Sequence, residues 1–443
     1  MITQTHRRTF LASSIATGAG LTILPSGTLA AANDKLNIAL IGAYGRGRQH
    51  HHDLKSQNIV ALCDVHSENM ANAVKEFPNA KTYIDWRKCL DHKGLDAVVI
   101  CTPDHHHAFI SIWAMNRGLH VYCEKPLGEC VYEARAVREV YLKNKNKLAT
   151  QHGTQRHANP NFDRVEEMIK GGAIGELKDV HAWGNRTHDV KDYLPAAGNP
   201  PEGIDWEQWI GPTQMHPYNP EYFDLRPGRG CLKWNMYDDF GSWQVGDMGS
   251  HTMDLAWNAI DADRPTKIKA FGDTFNPAVC PSELTAIYTM PANDWRDEIR
   301  LAWYQGGPRP KSPNNAIDLN KIGHGVLFKG SKGILIADFS NRILVPLGKE
   351  TGMEYYTPPH KSRAPIGGFM QQWFTACKGD LKTDCDFDYA GRMIETLMLG
   401  LVAHQSGKEL KYDAKAGKVT NHAEANEAQS MKKKYRKGWT LNG

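Results

Sequence analysis

Three side chains far apart in the chain, Lys125, Asp247 and His251, have the types needed to take a proton from an alcohol. An imidazole with an unperturbed pKa of ~6.5 accepts a proton near neutral pH. A carboxylate anchors a hydroxyl, and an ammonium group polarises its oxygen and holds its proton. Together they suit oxidation of a secondary alcohol, provided a hydride acceptor lies beside them. Asp247 and His251 stand four apart in an expected helical segment, residues 246–257, and so share a face. Lys125 belongs to Cys123-Glu124-Lys125-Pro126, at an expected strand end, where proline restricts the backbone and a cis peptide would fix the ammonium group. The plain readings are a helix-face hydrogen bond for the pair and a surface position for the lysine. Zinc would need at least one more ligand, and no His-Glu-x-x-His or other spaced set supplies it, so no metal is expected.

The acceptor has an expected place upstream. Gly42-Ala43-Tyr44-Gly45-Arg46-Gly47 closes a strand and opens a helix, the context a dinucleotide fingerprint needs. Gly42 permits the tight turn, Gly47 permits close helix–strand packing, and the helix N-terminus faces the pyrophosphate. Tyr44 replaces the middle glycine, so backbone approach to the phosphates falls to Gly45. Asp64 follows Gly42 by 22 residues at the end of the second strand, where a carboxylate binds ribose hydroxyls and repels a 2′-phosphate, favouring NAD over NADP. Its plain reading is a strand-end turn residue. Thr102-Pro103-Asp104 ends the fourth strand at the ligand edge, and His105, His106 and His107 follow as a helix begins. Successive helical side chains point about 100° apart, so this run cannot converge on one ion, and neither can His50, His51 and His52. Capping and cofactor lining are the expected roles, with His107, Glu124 and Lys125 joining the cofactor-binding set.

These groups require an alternating scaffold. Strands expected at residues 36–41, 59–63, 82–83, 97–101, 120–123 and 148–151 alternate with helices, which implies a right-handed, doubly wound parallel sheet. After residue 155 the rhythm changes to helices at 161–170 and 246–260. Strand candidates follow at 178–185, 267–275, 284–290, 298–305, 325–329, 333–338 and 342–347, a mainly antiparallel set. The fold class is therefore α/β: a Rossmann domain over residues 33–155, then an α+β domain with an open, mainly antiparallel sheet over residues 156–443. Residues 192–233, rich in Pro, Gly, Trp and Tyr, read as ordered loops over a site, and the tail after Lys408 as surface. Arg156, Trp183, Asn185, Arg186, His188 and Trp243, with Gln155, offer the aromatic faces and donors that suit a polyhydroxylated ring, although each could serve structure alone.

Composition limits the alternatives. A chain of 443 residues exceeds one hydrophobic core, and a net charge of +4 with scattered basic residues gives nucleic-acid binding little support. No run of ~20 apolar residues could span a bilayer. Nine cysteines, an odd number with no Cys-x-x-Cys, do not form a disulfide framework, although Cys377 and Cys385 could pair in an oxidising compartment. Residues 1–32 stand apart: Arg7-Arg8, then Phe10-Leu11, a weakly apolar stretch and small residues to Ala32 read as a twin-arginine export signal. The alternative is a tail with a chance arginine pair. Export by this route carries folded proteins, so a cofactor could be bound first, and the mature protein would be periplasmic or otherwise exported.

The Gly-rich turn with Arg46-Gly47, Thr102-Pro103-Asp104-x-x-His107, Glu124-Lys125-Pro126 and Asp247-x-x-x-His251, in this order, resemble the glucose-fructose oxidoreductase, inositol dehydrogenase and MocA family. The resemblance covers most of the chain after the signal. It implies the two-domain architecture above, NAD as cofactor, the roles given to Lys125, Asp247 and His251, and a homo-oligomer formed through the C-terminal sheet. It implies an oxidoreductase acting on a secondary hydroxyl of a sugar, glycoside or polyol. Two alternatives remain open: a glycosidase that uses NAD for transient ring oxidation without net redox change, and a non-catalytic carbohydrate-binding protein on a spent scaffold.

Overall fold

Strands of three to six residues, apolar at the centre of the layer, build the first sheet. In the computed structural model, which describes residues 35–223, 231–347 and 368–442, they form β1 (Asn37–Ile41), β2 (Asn58–Cys63), β3 (Lys81–Tyr83), β4 (Ala97–Ile100), β5 (His120–Cys123) and β6 (Thr150–His152). All pair in parallel, in the order β3-β2-β1-β4-β5-β6. The order reverses between β1 and β4, and ligands of doubly wound sheets lie beyond the strand ends at that point. Its helices are α1 (His51–Leu54), α2 (Ser67–Glu76), α3 (Trp86–Leu90), α4 (His107–Asn116) and α5 (Val131–Asn144). The expected signal, residues 1–32, lies outside the described residues.

After α6 (Pro160–Lys170) comes β7 (Leu177–Trp183), then α7 (Trp206–Ile210), α8 (Cys231–Trp234), α9 (Trp243–Gly246) and α10 (Met248–Ala259). β8 (Lys267–Gly272), β9 (Leu284–Met290), β10 (Ile299–Gln305), β11 (Gly325–Gly330), β12 (Gly333–Ala337) and β13 (Arg342–Pro346) follow. With β14 (Leu410–Asp413) and β15 (Lys418–Val419) they make a nine-stranded sheet, ordered β13-β12-β11-β7-β10-β9-β8-β14-β15. Only β7 and β10 pair in parallel. Alternation sorts its two faces: Val180, Leu301, Trp303 and Phe328 join the core shared with α10, while Trp183, Leu327 and Ile336 form a separate cluster on the other side.

Two long apolar segments that the strand count overlooked are helices, α11 (Phe369–Lys378) and α12 (Phe387–Ser406). α12 carries helical signals: Asp386 accepts from the N–H groups of Asp388 and Tyr389, Gly407 ends it at φ +64°, and Phe387, Ala390, Ile394, Leu397 and Leu401 are buried at helical spacing. The tail after Lys408 is not superficial. β14 pairs with β8, Lys433 Nζ lies 2.8 Å from Asp238, and Trp439 packs 5.9 Å from Trp86. Its Leu410, Tyr412, Met431 and Leu441 supply the apolar faces that keep it down.

The expected ordered loops contain a cluster of Trp206, Trp209, Tyr218, Tyr222, Trp234 and Phe240, with the first two rings stacked 4.7 Å apart; residues 224–230 lie outside the described set. The cluster reaches the first sheet through Ser67 N–H to Gly203 O at 2.7 Å and Asp205 N–H to Val65 O at 2.9 Å. All nine cysteines are free thiols, Cys377 and Cys385 included.

Candidate active site

The turn after β1 needs its glycines. Gly42 has φ +78°, and a Cβ there would stand 2.5 Å from Cys101 O; one on Gly47 would stand 2.1 Å from Gly42 O. Gly45, at φ +57°, has nothing within 4 Å of its Cβ direction, so the turn is open on that side. Asp64 accepts the Tyr44 N–H at 3.3 Å and the His66 N–H at 3.0 Å, joining the turn to the end of β2, while burial pushes its pKa up. The element after the turn is a 3-10 turn, Gly47–His50, running into the four-residue α1, so the expected helix dipole is a short one. The side-chain charge at the turn is Arg46, which donates to Glu124 at 2.9 Å. Glu124 also meets His50 at 2.7 Å and Gln155 at 2.7 Å. Burial would raise the pKa of Glu124, but Arg46 and His50 outweigh it and hold the carboxylate well below its ordinary range.

A cavity of about 1280 Å³ opens here, lined by Gly42, Tyr44, Gly45, Arg46, Asp64, Thr102, Pro103, His107, Glu124 and Lys125. Every expected cofactor position except Gly47 faces it, and Gly47 acts through packing instead. The cavity continues to Ile204, Trp209, Tyr218 and Phe223 of the aromatic loops. A β-carbon-free cradle, an open turn and a carboxylate at the β2 end fit a dinucleotide. The histidine runs do not cap helices. His105 and His106 both meet Trp209 O, at 2.8 and 2.9 Å, and His107 lies 2.7 Å from Pro126 O and 2.9 Å from Thr102 O. His50 meets Glu124 and His51 meets Ala43 O. They tie strand-end turns to each other and to the aromatic loops.

Beyond the β5 end, Lys125 Nζ lies 2.5 Å from Asp247 Oδ1, across the cis Lys125-Pro126 peptide. A Cβ on Gly246 would stand 3.0 Å from Pro126 Cγ, so glycine lets α9 close on this turn. Asp247 occupies a break between α9 and α10, with φ −74° and ψ −87°. The expectation that Asp247 and His251 ride one helix face is therefore corrected: Asp247 precedes α10, and only His251 lies on it. The break frees the carboxylate to take Lys125 on one oxygen and Arg186 on the other. Burial would raise the pKa of Asp247, yet the two cations hold it well below the usual range. Burial would lower Lys125, yet Asp247 holds it above its ordinary value. Burial, then Lys125, pushes His251 down to about 3, so the ring is neutral at working pH, and its buried Nδ1 has no partner among the described residues. Asp254, one turn further along α10, pairs with His157 at 3.0 Å and accepts from Tyr389 OH at 2.6 Å, anchoring the helix that carries His251.

The six expected substrate residues divide. Arg186 reaches Asp247, and Arg156 lies 4.2 Å over the Phe339 ring, which also stands 6.4 Å from His251. Exposed Asn185 lies against Gly323, whose Cβ would stand 3.0 Å from Asn185 Nδ2. Trp183 does not join them: it is fully buried on the other sheet face, with Nε1 donating to Ile322 O at 2.7 Å. Its place at the last residue of β7 sets that face by alternation. Half-buried His188 meets Cys280 O at 2.9 Å and packs edge-on at 5.1 Å to buried Trp243, the first residue of α9, so the two brace that helix. Sequence reading overlooked Arg309 and His324, basic residues isolated among Gly and Pro at the strand edge that carries Arg186. That isolation was the available signal.

Residues 36–152 match a family model described as "Oxidoreductase family, NAD-binding Rossmann fold". A glycosyl hydrolase family 109 protein of Stenotrophomonas maltophilia is 29% identical over 222 residues, covering 46% of this chain and 47% of that protein. An inositol 2-dehydrogenase of Rubrobacter xylanophilus is 28% identical over 212 residues, covering 46% and 60%. The matched stretch thus spans about half the length of such curated relatives. Among solved structures, the WlbA dehydrogenase of Bordetella pertussis, in complex with NADH and UDP-GlcNAcA, superposes with a TM-score of 0.60 at 14% identity, covering 86% of this chain and 99% of that one. At that identity the likeness is one of fold. Over residues 36–152 the chain is thus similar to the glucose-fructose oxidoreductase, inositol dehydrogenase and MocA family of oxidoreductases with an NAD-binding Rossmann fold.

Proposed function

We propose that the chain is an NAD-dependent oxidoreductase that takes hydride from a secondary hydroxyl of a sugar, glycoside or polyol. The observation that carries this reading is the meeting of Lys125 and Asp247 at 2.5 Å at the end of a Rossmann strand, with a neutral His251 beside them. The residues at the Gly-rich turn would hold the dinucleotide, with Asp64 at the adenosine ribose. When bound, it supplies the ring that accepts hydride. His251 receives the hydroxyl proton, Asp247 orients the hydroxyl, and Lys125 stabilises charge on the oxygen as the carbon becomes a carbonyl. In support, relatives include inositol 2-dehydrogenase, and a structural neighbour holds NADH with UDP-GlcNAcA.

The relatives named glycosyl hydrolase family 109 proteins favour a second reading, in which the same oxidation is transient and a glycosidic bond is cleaved without net redox change. Incubation with sugar and glycoside libraries, following NADH absorbance and product masses together, separates the two. Net NADH with an oxidised sugar supports the first, and free sugar without NADH supports the second. Binding without either would leave a carbohydrate-binding protein and refute both. We also infer export through the twin-arginine route, on the strength of residues 7–32. Pairing of copies through the C-terminal sheet is supported by exposed Phe271 and Ile343 on β8 and β13.

A further inference from the structure

The substrate end of this site holds more positive charge than a neutral sugar requires. β7 and β10 are parallel with Trp183 opposite Tyr304, so the chain leaves both at one sheet edge, carrying Asn185-Arg186 and Pro308-Arg309. β11 is antiparallel to β7 and enters at that edge, Gly325 opposite Trp183, which brings His324 there. Arg156 arrives from the other side, over the Phe339 ring that also meets His251.

Lys125 and Arg186 share the Asp247 carboxylate. Arg156 and Arg309 have no carboxylate partner among the described residues; Arg156 rests on an aromatic ring and Arg309 bonds its neighbour Pro308 O at 2.7 Å. Arg309 Nε and His324 Nδ1 are buried without a hydrogen-bond partner among the described residues. Burial first, then Arg186, Arg156 and Arg309 against the opposing pull of Asp247, push His324 down to about 4, in keeping with the shared sheet edge. The other acids nearby do not balance it: Glu124 is engaged by Arg46 and His50, and burial keeps the Asp104 carboxyl well above its ordinary range. Unpaired buried donors are costly, and a guanidinium fork is shaped for a carboxylate or phosphate.

We propose that the site takes a sugar or polyol bearing an anionic group, carboxylate or phosphate, bound by Arg309 and Arg156 beside His324, while Lys125, Asp247 and His251 act on its secondary hydroxyl. This deepens the oxidoreductase reading and rests on it. Calorimetry on the full NAD-loaded protein compares D-glucuronate with D-glucose, D-galacturonate with D-galactose, and D-glucose 6-phosphate with both hexoses. At least one anionic ligand binds ~10-fold tighter than its neutral counterpart. Arg309→Gln abolishes that preference by weakening the anionic ligand ~10-fold more than its neutral counterpart. Whether uronate or phosphate shows the preference identifies the anion. Equal or tighter binding of the neutral sugars, no binding of any anion at millimolar concentration, or equal weakening of both by Arg309→Gln overturns the proposal. Separately, absorbance scores NADH: its formation from neutral sugars alone overturns only the anionic reading, whereas its absence with ligands that bind overturns the oxidoreductase itself.

Discussion

At the dinucleotide end one buried carboxylate, Glu124, receives Arg46, His50 and Gln155 at 2.7 to 2.9 Å, all on Oε1, while its buried Oε2 has no hydrogen-bond partner among the described residues. At the substrate end Asp247 answers both Lys125 and Arg186, while Arg156 and Arg309 have no carboxylate partner among the described residues. The first is a network in which one carboxylate answers its neighbouring cation and joins three segments at a turn. The second is incomplete until something fills it. A site that holds its cofactor and receives its substrate has reason to be built this way, because pre-satisfied groups set geometry while unsatisfied ones bind.

The largest effect should come from breaking the Glu124 network. Glu124→Gln removes the charge that answers Arg46 and His50 in a buried setting, where losing one partner costs about 3 kcal/mol. Chemical denaturation should show a loss of that order, together with weaker NAD binding by fluorescence titration. A change below ~1 kcal/mol would mean the network contributes little.

The comparison is sharpened next by pH. At the substrate end His251 is pushed down to about 3 by burial and by Lys125, so the free enzyme keeps a neutral imidazole far below the ordinary histidine range of ~6.5. Only the unprotonated ring can accept a proton, so activity is lost as pH falls through its pKa, not before. A pH profile of kcat/KM should therefore stay flat from about pH 8 to about pH 5 on its acid side. A limb centred between 6 and 7 would show that His251 titrates as an exposed ring.

The smallest effect tests a boundary between the two ends and the scaffold. Trp183→Phe removes the indole donor to Ile322 O on the outer sheet face. It should cost about 1 kcal/mol of stability in thermal denaturation and leave KM unchanged. A several-fold rise in KM would return Trp183 to the substrate site.

How far each end was legible follows from what builds it. The dinucleotide end rests on short sequence spans that share a strand end: Gly42 to Gly47, Thr102-Pro103 and Glu124-Lys125 each carry their own turn chemistry, so order and spacing sufficed. The strand boundaries of the second sheet were also readable, as with Leu284–Met290, because alternation is local. The substrate end depends on register across β7, β10 and β11, which no single segment reveals, and so Arg309 and His324 were overlooked. Trp183 was placed among the substrate residues for a related reason: its position on a strand was right, but which face of the sheet meets α10 is a tertiary fact. α11 and α12 were overlooked because no element was assigned between residue 347 and the tail, although Asp386 and Gly407 bracket α12 with cap signals. Asp247 defeated the i, i+4 argument because a backbone break lies between it and His251.

The central claim is that Lys125, Asp247 and His251 work as one unit on a hydroxyl while the dinucleotide is held elsewhere. Turnover and NAD affinity for His251→Ala, Lys125→Ala and the double variant test it most directly. Removal of a general base typically costs ~10² to 10⁴-fold in rate. Groups acting together lose activity non-additively, so the double variant should be little slower than the slower single variant, with NAD affinity preserved in His251→Ala. Near-normal turnover in His251→Ala, or losses that multiply in the double variant, would contradict the account.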